Sequence, residues 1–166
     1  MLFNSFEFVG FFIAVILIFF NLKPKWRGVF LLIASCYFYM ALVPIYILIL
    51  FVTIIIDYYA GIFIEASKFK KNKKRLLILS LIANISILGI FKYYNFFIEN
   101  INFLYYFGSS ISNKLPYWNI ILPVGLSFHT FQSMAYTIEV YRGNEKAERN
   151  IFTYSLYVMF FPQLVA

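Results

Sequence analysis

IYILILFVTIIIDYYAGIFI, residues Ile45 to Ile64, is the stretch that decides the fold. Asp57 is its one acidic residue, and it has no Lys or Arg. At about 1.5 Å per residue its twenty positions reach across the ~30 Å hydrocarbon core of a bilayer. EASKFKKNKKR follows at once, with Lys68, Lys70, Lys71, Lys73, Lys74 and Arg75. A long apolar run closed by a dense basic cluster is the mark of a membrane helix stopped at a charged surface.

The rest of the chain agrees. Hydrophobic residues make up 63% of the 166 positions, against roughly 45–50% in soluble domains. Charged residues make up 13%, about half the usual share. A soluble globule of this length lacks the interior to hide so much apolar surface. A water-soluble enzyme, a nucleic-acid-binding module and a disordered tail are thereby excluded. The net charge of +7 sits in gaps between apolar runs, so it speaks for membrane orientation and against nucleic acid. Cys36 is the sole cysteine and reads as an inert small residue in an apolar run.

Working outward, a short first helix is expected over Phe6–Leu22. Glu7 precedes its apolar core and no small-residue cleavage site follows, which argues against a removable signal peptide. Asn21–Gly28 reads as a loop. A second run, Val29–Leu42, ends at Val43-Pro44, where proline disfavours helix in the residue before it. A fourth run spans Leu76–Phe91, with Lys92 snorkelling to a surface. Residues 92–119 mix Asn95, Glu99, Asn100 and Asn102 with aromatics. They suggest a separate interfacial helix and then a loop from Gly108 to Asn119. The fifth run is Ile120–Tyr141, broken near its start by Pro123 and Gly125. A polar loop, Arg142–Asn150, leads to a last apolar run, Ile151–Ala166. The expected fold class is all-α, a set of transmembrane helices with one interfacial helix. There is no internal repeat and no separate soluble domain.

Placing Lys23–Arg27 in the cytoplasm puts Lys68–Arg75 and the group Arg142, Lys146 and Arg149 there as well, with the N-terminus outside. Every basic cluster then falls on one side.

Polar groups inside such runs are candidates for function. At about 100° per residue, Gly125, His129, Gln132, Ser133, Tyr136 and Glu139 share one arc of about 120° on the fifth helix. This stripe either lines a substrate path or forms a hydrogen-bonded seam with other helices. His129 is the chain's single histidine, and no Asp or Glu lies within a turn to orient it. Asp57 either lines a cavity or partners a cation or a backbone donor on a neighbouring helix. Asn84 and Ser86 are expected as packing contacts. No metal-ligand cluster, nucleophile triad or phosphate loop is present.

Leu122–Gly143 reads LPVGLSFHTFQSMAYTIEVYRG. It resembles the signature of the membrane-bound O-acyltransferase (MBOAT) family, in the branch that O-acetylates alginate and other bacterial cell-surface polysaccharides. The matching positions are Leu122, Pro123, Gly125, Ser127, Phe128, Thr130, Phe131, Gln132, Tyr136, Glu139, Tyr141, Arg142 and Gly143. The opening Leu2-Phe3-Asn4-Ser5, Ser35 to Tyr39, Asp57-Tyr58 with Gly61, Phe91 to Phe97 and the final Phe160 to Ala166 are similar to family segments in the same order. Residues 1–166 as a whole resemble the N-terminal portion of the family's domain.

The resemblance implies transfer of an acyl group, acetyl in this branch, from an activated cytoplasmic donor such as acetyl-CoA to hydroxyls of an exported polysaccharide. It implies a bacterial inner-membrane protein that works with outer-side acetylation partner proteins and holds no resident cofactor. It also implies a histidine general base beyond Ala166. His129 occupies a position that is commonly aromatic in that block, so no catalytic role passes to it. Residues 1–166 alone are therefore expected to be a fragment without activity. The competing expectation is a small non-enzymatic multi-span membrane protein. A transporter fragment would need paired broken helices, and none is found.

Overall fold

The computed structural model describes residues 5–41, 44, 46–108 and 125–165. These form six α-helices and a short 3-10 turn, with no strand among them: α1 Phe6–Asn21, α2 Pro24–Met40, α3 Tyr46–Ala66, α4 Lys70–Gly108, α5 Leu126–Arg142, α6 Ile151–Met159, then Phe161–Val165. The expected loop Gly108–Asn119 and the start of the fifth run fall almost wholly outside the described residues.

Local chemistry sets most of the ends. Ser5 caps α1 by accepting from the Phe8 amide at 3.2 Å. The loop expected at Asn21–Gly28 shrinks to two residues, because Pro24 occupies the first turn of α2. Proline fits there, where its missing N–H has no partner to lose. Gly125 and Gly143 bracket α5 in the left-handed region, at φ 83° and 81°, which a residue with a Cβ rarely adopts. Asn150 caps α6 by accepting from the Phe152 and Thr153 amides. The last apolar run is not one helix: α6 stops at Met159 and a 3-10 turn containing Pro162 follows.

The largest departure from expectation is α4. Span four and the interfacial segment are one continuous helix of 39 residues, about 58 Å long. Its polar residues Asn95, Glu99 and Asn100 are solvent-exposed on the helix surface and do not interrupt it. Asn100 donates back to the Phe96 carbonyl at 2.7 Å. Lys92 is exposed, its Nζ 5.5 Å from the centre of the Tyr93 ring.

The helices α3, α4 and α5 pack against one another, while α6 lies on α2 and α3. Tyr39, Leu50, Ile54, Tyr58, Leu126, Tyr154 and Val158 form the central core. Phe161 from the 3-10 turn plugs a second cluster with Val15, Ala34 and Phe38. The outside is apolar: Ile13, Leu17, Leu79, Ile82 and Ile85 are exposed. α3 and α4 are long and apolar enough to cross a membrane, and only 11% of the apolar window of α4 is buried. Such a surface is suited to lipid rather than water. α1, α2 and α5, at 16, 17 and 17 residues, fall short of the ~20 residues of a full crossing.

Candidate functional site

The one buried carboxyl among the described residues is Asp57. It points from α3 into the bundle and is fully buried. Ser80 donates to its Oδ1 at 2.5 Å, and the Asn84 amide donates to Oδ1 and Oδ2 at 2.8 and 2.9 Å. Ser80 and Asn84 stand four residues apart, on one face of α4. Asn84 also donates to the Ser80 carbonyl at 3.0 Å, which holds the amide in place. Ser133 of α5 adjoins the same carboxyl, and Tyr154 of α6 borders both. One buried carboxyl thus joins four helices. Of the two α4 residues expected to pack, Asn84 does so and Ser86 is exposed.

The stripe on α5 divides by depth. His129 is buried and its Nε2 is hydrogen-bonded to the Tyr39 hydroxyl of α2. The two rings meet edge to face at 5.3 Å between centroids, and the Val158 backbone borders the imidazole. Gln132 donates to the Tyr157 carbonyl at 2.8 Å and to Gln163 Oε1 at 3.2 Å, fastening α5 to α6 and to the 3-10 turn. Thr137 bonds back to the Ser133 carbonyl at 2.7 Å.

Nearer the C-terminal end of α5, Tyr136 crosses Gly61 of α3. A Cβ at Gly61 would lie 2.8 Å from the Tyr136 hydroxyl, so only glycine admits this approach. That hydroxyl accepts the Glu148 amide at 3.0 Å, which tethers the loop after α5. Glu139, at the last turn, accepts from Arg142 at 3.0 Å and Asn144 at 2.6 Å.

Tyr136 and Glu139 line an open cleft of about 440 Å³ between α5, α6 and their loop, with Glu145, Glu148 and Tyr157. The cleft opens at the basic end of the bundle. There Arg149 pairs with Glu65 at the end of α3, and Ile64, Val140 and Ala147 pack with Leu76 and Leu77 of α4. The clusters Lys68–Arg75 and Arg142–Arg149 therefore share one end.

The six candidate residues do not form one constellation. Asp57 and Ser133 meet, His129 and Gln132 face α2 and α6, and Tyr136 and Glu139 border the cleft. Among the described residues no group of three or more His, Cys, Asp and Glu could hold a metal ion. Ser80, Tyr39 and Tyr154 were not singled out from the sequence. Ser80 carried a usable signal: with Asn84 it makes an i, i+4 polar pair in an apolar run, the spacing of a helix-to-helix seam.

A buried polar seam inside a lipid-facing helical bundle defines an integral membrane protein whose helices are keyed by side-chain hydrogen bonds. Relatives narrow the class. The chain is 34% identical over 169 residues to a probable alginate O-acetylase of Pseudomonas aeruginosa, covering all of this chain and 32% of that protein. It is 35% identical over 172 residues to a probable alginate O-acetylase of Pseudomonas syringae pv. tomato, again covering all of this chain and 32% of that protein. It is 31% identical over 168 residues to a peptidoglycan O-acetyltransferase of Helicobacter pylori, covering 87% of this chain and 31% of that protein. No family model and no solved structure matches the chain. The chain belongs to the membrane-bound O-acyltransferase family, on the branch of these polysaccharide O-acetyltransferases. It spans about a third of the length of the curated relatives it matches.

Proposed function

We propose that the chain provides the N-terminal helices of a membrane O-acyltransferase that moves an acetyl group onto hydroxyls of an exported cell-surface polysaccharide. The observation that carries this reading is the match, along the whole of this chain and about a third of theirs, to proteins named for alginate O-acetylation. The donor is an activated acyl carrier on the cytoplasmic side, acetyl-CoA being the simplest. A general base takes the proton of the acceptor hydroxyl, the alkoxide oxygen attacks the acyl carbonyl, and the donor's thiol leaves. That base is the family's histidine, outside residues 1–166.

Within this chain, Asp57, Ser133, His129 and Gln132 hold the helices in register around the reacting part. Tyr136 and Glu139, at the open cleft, are the candidates placed to line a path. The protein sits in the bacterial inner membrane with its N-terminus outside, and outer-side partner proteins complete the acetylation. Deleting the gene in its host and measuring base-labile acetate in purified envelope polysaccharide tests the reading. A fall in polysaccharide acetate is expected, restored by the gene on a plasmid. Unchanged acetate in every surface polysaccharide would overturn it.

A further inference from the structure

The turn between α3 and α4 carries a charge excess that the molecule does not balance. Six cations occupy eight positions, Lys68, Lys70, Lys71, Lys73, Lys74 and Arg75. None forms an ion pair among the described residues. The acid at the end of α3, Glu65, is already engaged by Arg149, and the first turn of α4 holds no acid. Five of the six cations stand in the opening turns of α4, where the helix dipole opposes positive charge.

Beside them lies a cleft of about 480 Å³ lined by Phe63, Ala66, Ser67, Asn72, Arg75 and Leu76. Asn72 and Arg75 are three apart on α4 and present an amide and a guanidinium on one face. Phe63 and Ala66 of α3, with Leu76 of α4, supply its apolar lining. Phe69, between the lysines, is 72% exposed and adds an apolar ring to this surface.

We propose that this turn is a binding site for the phosphate headgroup of an anionic phospholipid. Arg75 and Asn72 take the phosphate, the lysines supply the surrounding field, and the apolar lining receives the first carbons of an acyl chain. The commitment to lipid rests on depth. The cluster joins two helices long enough to cross the bilayer, which sets it at the level of the headgroups, where basic residues attract anionic lipid. The site is independent of acyl transfer and rests on the membrane placement of α3 and α4.

Native mass spectrometry of the protein purified from membranes, given equal amounts of cardiolipin and phosphatidylcholine, tests this. Retention of cardiolipin over phosphatidylcholine by about tenfold or more is expected at low salt. It should collapse near 1 M salt, where the screening length is about 3 Å. Combining Lys70→Gln, Lys71→Gln, Lys73→Gln, Lys74→Gln and Arg75→Gln should bring retention to parity with helix content unchanged by circular dichroism. Equal retention by the unaltered protein, or preference that survives salt, overturns the proposal without reference to any variant. Displacement of cardiolipin by millimolar inorganic pyrophosphate would assign the site to soluble phosphates and overturn it too.

Discussion

Asp57 shows what a single residue can contribute inside lipid. Three hydrogen bonds from Ser80 and Asn84 end on it, and nothing in a bilayer core replaces them. Asp57→Ala strands both donors, and each buried unsatisfied group costs about 1–3 kcal/mol. A loss of about 3 kcal/mol is expected, with a clear drop in Tm in detergent, while Asp57→Asn keeps one acceptor and loses about half as much. Equal Tm values for Ala and Asn would contradict this account. His129 gives the opposite expectation. Its ring is held by Tyr39 at a helix contact, away from the cleft residues Tyr136 and Glu139. His129→Phe should lower polysaccharide acetate in the host by less than about tenfold, whereas loss of a general base removes about 10²–10⁴. A loss of that larger size, with the protein still in the membrane, would make His129 part of the chemistry. From the sequence alone, Asp57 was legible as a polar group inside an apolar run that either lines a cavity or meets a cation or backbone donor; its donors are instead the side chains of Ser80 and Asn84. The identity of those donors was not legible, because hydrogen bonds between helices depend on the rotation of each helix about its axis.

At the scale of elements, helix ends were legible wherever the backbone is chemically constrained. Pro44 follows α2, and Gly125 and Gly143 flank α5. Pro24 misled, since proline stops a helix from within but begins one at its first turn. α4 misled for another reason. Asn95, Glu99 and Asn100 break the hydropathy of the run but not its hydrogen bonding, and a helix leaving the hydrocarbon can expose them freely. Spin labels at Lys70→Cys and Glu99→Cys, in a Cys36→Ser background, should report a separation of roughly 44 Å for one straight helix of 29 intervening steps. A distance below about 35 Å would mean a bend where the interfacial segment was first drawn.

For the whole molecule, the composition alone was enough to call for a lipid-facing bundle, and the exposed Leu79, Ile82 and Ile85 bear that out. The alternation of basic clusters carried further, because the structure gathers two of them at one end through Glu65, Arg149 and the Ile64–Ala147 cluster. Cysteines introduced at Lys25, Lys71 and Lys146 should therefore respond alike to a membrane-impermeant maleimide. All three are expected to stay unlabelled in intact spheroplasts and to label once the membrane is opened. Divergence of any one would break the topology.

The Asp57 contact also bears on how the chain is made. Its donors lie 23 and 27 residues further along, so they have not yet left the ribosome when α3 reaches the translocon. A solitary α3 would have to partition with a bare carboxyl in mid-helix, at about 2.5–3.5 kcal/mol on insertion scales. The two helices are therefore expected to enter the bilayer as a hairpin. Nascent chains halted with α4 still in the ribosomal tunnel should resist carbonate extraction far less than chains lengthened to expose Asn84, and Asp57→Leu should erase that difference.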